Sequence, residues 1–132
     1  MPELTHHDFR RVLLEEFPQL HQEIDDSDGL LHIEMGVFAE HTQRAKGQGD
    51  WLTYERCIKL ADRMWANPDP ALLNALNVSY LEYLDFDGPR GPKAWSLLTP
   101  PLQEGWKAIM EYLRELGNAA RKRGAPSSDG AA

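Results

Sequence analysis

Apolar residues recur along this chain at helical spacing, with polar punctuation between them. Phe9, Leu13 and Phe17 step by four, with Val12 beside them, behind a Thr5…Asp8 pair at the spacing of a capping box. Pro18 ends that helix or opens the next, a short one with Leu20 and Ile24 on its apolar side. The run Asp25-Asp26-Ser27-Asp28-Gly29 is a polar break. A third helix is expected from about Leu30 to Lys46, with Gly47 just past its end. Asp50 caps a fourth over Trp51 to about Asn67, on which Trp51, Tyr54, Ile58, Ala61 and Trp65 form a stripe.

In Pro68-Asp69-Pro70 a stop is followed by a start, opening a fifth helix from Pro70 to Leu84. It is apolar on most sides, which predicts a central position. A loop over Asp85–Pro92 and a short turn at Ala94-Trp95 lead to a last helix capped by Thr99. Its stripe is Leu102, Trp106, Ile109, Met110, Leu113 and Leu116. No alternating strand pattern competes. The expected fold is all-α: a single compact domain of about six helices over 1–123, in antiparallel hairpins, either a bundle or a short HEAT-like stack. Residues 124–132 carry no large apolar side chain and are expected to be a disordered tail.

A length of 132 residues suits one domain without staples. A single cysteine, Cys57, excludes an internal disulfide and a cysteine-based zinc cluster. The first residues lack a signal-peptide core and no apolar run is long enough to span a membrane, so a cytoplasmic location is expected. Net charge is −7. Its distribution says more, because residues 1–40 hold ten acids and two bases, a balance of −8. Such a lobe repels nucleic acid and attracts basic surfaces. It is read either as a solvated helical face that aids solubility or as a surface for a protein partner with a basic face, met first by Asp25, Asp26 and Asp28.

Glu34 and His41 both fall on the apolar side of the third helix, among Leu30, Leu31, Ile33, Val37 and Phe38. A buried charge needs a partner. Seven residues separate the two, about 10 Å along the helix, so each needs a neighbour from elsewhere or must face a groove. His6, His7, His21 and His32 show no ligand spacing, and His32-Ile33-Glu34 lacks the downstream cysteine pair of a zinc deaminase. No metal or cofactor is expected. Cys57, mid-helix, reads as core. Asp85, Asp87 and Gly88 lack the rest of a calcium loop, and no nucleophile elbow, dinucleotide fingerprint or phosphate loop occurs. The polar side of the fifth helix (Asn74, Asn77, Ser79, Glu82, Asp85), interleaved with Val78 and Leu81, suits an interface, and Trp95 is uncommitted to any stripe.

The elements Phe17-Pro18-Gln19-Leu20, His32 to Ala39, Asn74 to Leu84 and Trp95 to Trp106 resemble those of a family of small, uncharacterised, all-helical bacterial proteins. That resemblance implies a fold and no chemistry. By analogy, small acidic helical proteins look like the immunity proteins of bacterial toxin systems. The expected function is therefore a non-enzymatic protein-binding module, an immunity-type inhibitor that occludes a basic toxin or effector domain. Its contact residues are expected among Asp25, Asp26, Asp28, Glu34, His41, Asn74, Glu82, Asp85 and Trp95. Two alternatives stand beside it: an enzyme or small-ligand protein with Glu34 and His41 in one cleft, and a homo-oligomeric structural or regulatory subunit.

Overall fold

Four helices begin where a short polar side chain, Thr5, Asp50, Asp69 or Thr99, meets the first free backbone N–H groups. In the computed structural model the described residues are 2–124, with side chains described as far as 120. Seven α-helices, and no strands, make up this region: α1 (His6–Glu16), α2 (His21–Asp25), α3 (Leu31–Gln48), α4 (Trp51–Trp65), α5 (Pro70–Ala75), α6 (Gly91–Ser96) and α7 (Pro100–Gly124). The capping box of α1 is present in both directions, Thr5 to Asp8 and back. Asp50 and Asp69 cap α4 and α5 by accepting from Thr53 and Leu72. Thr99 accepts from the Leu102 N–H at 3.4 Å and donates to Asp62 at 2.8 Å, tying the start of α7 to α4. Pro18 opens a single tight turn, Pro18–Leu20, that runs into α2. Leu4 pairs with the backbone around Pro68, anchoring the N-terminal segment beside the start of α5.

The central element is α3, which packs against α1, α2, α4, α5 and the segment after α5. Met35 and Phe38 on it are fully enclosed. Phe38 stacks on Tyr80 with centroids 4.5 Å apart and meets Phe9 of α1 at 5.9 Å. Burying such rings supplies about 2–3 kcal/mol each. The Tyr80 hydroxyl bonds Thr42 at 3.0 Å, and Thr42 donates to the Phe38 carbonyl, so the stack carries no unpaired polar group at its edge. Tyr54 of α4 likewise donates to the Ala94 carbonyl of α6.

Four expectations need correcting. α3 continues past Gly47 to Gln48, and the left-handed residue that ends it is Gly49, φ 68°. The fifth helix is not one helix: after Ala75 the chain takes a wide π turn, Leu76–Tyr80, then a tight turn, Leu81–Tyr83. Its central position is one-sided: Leu72, Leu76, Tyr80 and Leu81 are fully enclosed, while Leu73, Val78 and Tyr83 are exposed. Among the described side chains of α7 only Leu102 is fully enclosed, while Leu113 and Leu116, expected in the core stripe, face solvent. The expected tail lies outside the described residues, apart from Gly124 at the end of α7.

Candidate functional site

The π turn after α5 builds the site. One extra residue in a helical turn re-aims the side chains that follow, and such turns concentrate at functional positions. Here it sends Tyr80 into the core and brings Ser79 against α3, where its hydroxyl meets His32 Nδ1 at 2.7 Å. Between this segment and the outer side of α3 lies a groove of about 600 Å³, within the usual range for ligand sites. Ile33, Gly36, Val37, Ala39, Glu40 and Gln43 line it from α3, and Ser79 and Tyr83 from the opposite wall, with His32 at the junction. Ile33 is 52% exposed and Tyr83 64%, so the apolar lining is open to water. Leu30, one turn before Ile33, and Val78, beside Ser79, extend the apolar surface.

Gly36 lies on the floor of the groove, in the middle of an 18-residue helix. Glycine there costs about 1 kcal/mol relative to alanine. A Cβ built at Gly36 would meet nothing within 4 Å, so no packing inside the chain requires its absence. The missing side chain leaves α3's backbone bare to an incoming group in the groove. Glu40 is the one carboxylate among the lining residues, and Glu82, next to Tyr83 in the chain, is exposed outside that lining.

His32 and Ser79 form a hydrogen-bonded hydroxyl–imidazole pair. Among the described residues no carboxylate bonds the other ring nitrogen of His32, so the third member that would orient a catalytic base is missing. The pair offers a polar, two-way hydrogen-bonding spot at one end of an apolar groove. Cys57 is fully buried and burial pushes its thiol up to about 11, which keeps it a protonated core residue. Among the described residues no group of three or more His, Cys, Asp or Glu side chains is placed to hold a metal.

Glu34 and His41 are not brought together. Glu34 is 0% exposed; its Oε1 bonds His6 Nε2 of α1 at 2.7 Å, and Arg10 Nε stands 3.8 Å from Oε2. The carboxylate is thus a buried α1–α3 tie and does not reach a docking surface. His41 is buried against the Phe17 ring, centroids 4.7 Å apart, and neither ring nitrogen has a hydrogen-bond partner. Burial, then the nearby Arg44 charge, holds its pKa below the usual histidine value. It borders a small pocket of about 130 Å³ with Gln19, Arg44 and Asp50, which Glu34 does not line. The expectation of both at a partner surface, or in one cleft, fails because α3 turns Glu34 toward α1 and His41 toward Phe17.

The remaining candidates are on the surface but scattered. Asp25, Asp26 and Asp28 are exposed; Asp25 pairs with Arg10 at 3.4 Å and His21 at 3.2 Å, and Asp26 accepts from Gln22. Elsewhere in the acidic third, Glu16 is tied to Arg56 and Glu15 to Arg11, so part of its charge is met locally. Asn74, Glu82 and Asp85 are exposed, and the Asp85 carbonyl accepts from the Lys46 ammonium. Trp95 is half-buried in a three-ring cluster with Phe86 and Trp106, centroids 5.1–5.3 Å apart. Sequence reasoning placed Ser79 and Glu82 on a candidate face but missed its partners on α3. The available signal was Gly36 inside an apolar helical run beside Ile33 and Val37.

The family described as a domain of unknown function, DUF7674, matches residues 10–114. That span takes in α2 to α6, most of α1, both walls of the groove and the first part of α7, and the chain belongs to this family. No curated protein and no solved structure matches the chain.

Proposed function

We propose that this member of a family of unknown function is a protein-binding module, and that its receptor is the groove between α3 and the π-turn segment. The observation that carries the reading is an open apolar groove laid over a helix glycine that the chain's own packing does not need. The occupant is a partner segment that offers apolar side chains to Ile33, Val37 and Tyr83 and a basic side chain to Glu40. The N-terminal balance of −8 speeds encounter with such a basic partner, while the groove holds it. In the finer form of this proposal the partner is a basic toxin or effector domain, occluded without chemistry, and the encounter takes place in the cytoplasm. An acid–base reading through Glu34 and His41 has no common cavity to stand on.

The test is capture from the host's lysate with the tagged wild type, with Gly36→Leu, and with Leu52→Glu as a control at another exposed apolar position. A Cβ at Gly36 meets no atom of the chain within 4 Å, and Gly36 lines the groove, so the leucine side chain is expected to fill it. A stoichiometric basic partner held by wild type and control, and lost with Gly36→Leu, supports the proposal. Equal capture by Gly36→Leu overturns it.

A further inference from the structure

The last helix is longer than the body it packs on. Leu102 of α7 is fully enclosed, and Trp106 and Ile109 are half-buried against the core. Beyond them Tyr112 is 60% exposed, Leu113 36% and Leu116 47%. The helix nevertheless keeps its stripe: Leu102, Trp106, Ile109, Leu113, Leu116 and Ala120 follow in alternating steps of four and three. That is the repeat of a helix seam facing another helix. The positions flanking the outer seam are uncharged too: Met110, Tyr112, Gly117 and Ala119. Lys107, Glu111, Arg114, Glu115 and Asn118 occupy the opposite side. About 20 Å of helix, from near Ile109 onward, therefore carries an apolar face that the described residues do not cover.

We propose that this face binds a second copy of the chain, the two α7 helices packing antiparallel about a two-fold axis between Leu113 and Leu116. Three observations choose this occupant. Residues 125–132 contain only Ala, Pro, Ser, Asp and Gly, so this segment offers no large apolar side chain to set against leucines and a tyrosine. Next, the face is self-complementary in shape when reversed. Its N-terminal half is bulky (Ile109, Met110, Tyr112) and its C-terminal half small (Gly117, Ala119, Ala120). An antiparallel copy sets Tyr112 opposite Ala119, Met110 opposite Gly117 and Ile109 opposite Ala120, with Leu113 against Leu116 at the centre. A two-fold contact requires this reciprocity, each residue meeting the position that meets it in return. Parallel pairing instead stacks bulk on bulk and leaves voids among the small residues.

Charge is the third. Two copies of a protein with −8 in its N-terminal third repel wherever those surfaces face each other. Between Lys107 and Ala120 of α7, Lys107, Glu111, Arg114 and Glu115 alternate in sign and sum to zero, and the basic Arg121, Lys122 and Arg123 that follow fall at opposite ends of an antiparallel pair. This is a surface on which like molecules meet without that penalty. Two such faces bury on the order of 1,000 Å², at the low end for specific association, so the pairing is reversible at micromolar concentration.

Sedimentation equilibrium of the full chain from about 1 to 100 μM tests the pairing. The expected result is a monomer–dimer equilibrium that Leu113→Glu with Leu116→Glu weakens at least about 100-fold, with an unchanged helical spectrum and an unchanged thermal midpoint after extrapolation to monomer. Leu52→Glu leaves association intact. A strictly monomeric wild type over that range overturns the proposal. Orientation is read by oxidative cross-linking of Met110→Cys and Gly117→Cys. The antiparallel arrangement predicts a cross-linked heterodimer from the mixture and little product from either variant alone. Efficient cross-linking of each variant to itself overturns it.

Discussion

Two helix glycines, Gly36 and Gly91, should respond to the same substitution with opposite signs. Gly91 opens α6 beneath the Phe86 loop, and a Cβ there falls 1.7 Å from the Phe86 carbonyl oxygen and 2.5 Å from its carbon. Ordinary contact is more than 3 Å, so the loop must retreat by more than 1 Å. It cannot do so freely. The Phe86 ring is wedged edge-on against Trp95 at 5.1 Å and Trp106 at 5.2 Å, and the Gly91 N–H donates to the Gly88 carbonyl at 3.1 Å. Gly91→Ala is expected to cost about 3 kcal/mol or more, from overpacking together with loosening of an aromatic cluster. Gly36→Ala meets nothing within 4 Å and removes a flexible residue from mid-helix, so it should stabilise the chain by about 1 kcal/mol. Urea unfolding read by far-ultraviolet circular dichroism and tryptophan fluorescence gives both values. Gly91→Ala within about 0.5 kcal/mol of wild type refutes the packing argument, and a destabilised Gly36→Ala refutes the claim that the groove floor is empty.

Further outcomes follow from the core. His6→Ala strips Glu34 of its one hydrogen-bonded partner and should cost about 1–3 kcal/mol, seen as a lower urea midpoint at unchanged slope. Tyr54→Phe leaves the buried Ala94 carbonyl without its donor and should cost about 1–2 kcal/mol by the same assay. His41 has a depressed folded pKa, so the unfolded chain takes up a proton first as pH falls below 6.5. Its stabilising contribution is thus complete above that value and lost on acidification, and His41→Met should flatten the fall in urea midpoint between pH 7 and 5. The Cys57 thiol, buried and held near 11, should react with a thiol reagent in urea and not in the native protein.

What was legible in the sequence was local. Thr5 with Asp8, Asp50, Asp69 and Thr99 each act on backbone N–H groups within three residues, so short-range chemistry alone reveals those helix starts. Glu34 was recognisable as a charge needing a partner from another helix, and His6 supplies it across 28 residues. The π turn was not legible, because nothing in Leu76–Tyr80 departs from ordinary helical patterning. The contacts that accompany it are tertiary: Tyr80 on Phe38, its hydroxyl on Thr42, and Ser79 on His32, 47 residues away. Gly47 and Gly49 are equivalent helix stops by composition, and only the placement of the Asp50 cap selects the second. Periodicity could not tell an outward stripe from an inward one on α7, since Leu113 and Leu116 continue the spacing of Leu102 after the core has ended. The candidate site suffers most from this limit, for its two walls come from segments joined only by folding.

The groove is the central claim, and amide chemical-shift mapping of the chain against its captured basic partner tests it most directly. Shifts concentrated at Ile33, Gly36, Val37, Glu40, Ser79 and Tyr83, and absent in Gly36→Leu, are the predicted result. Shifts gathered instead around Asp25, Asp26 and Asp28, with the groove residues unmoved, would contradict the account and return the binding surface to the acidic break between α2 and α3.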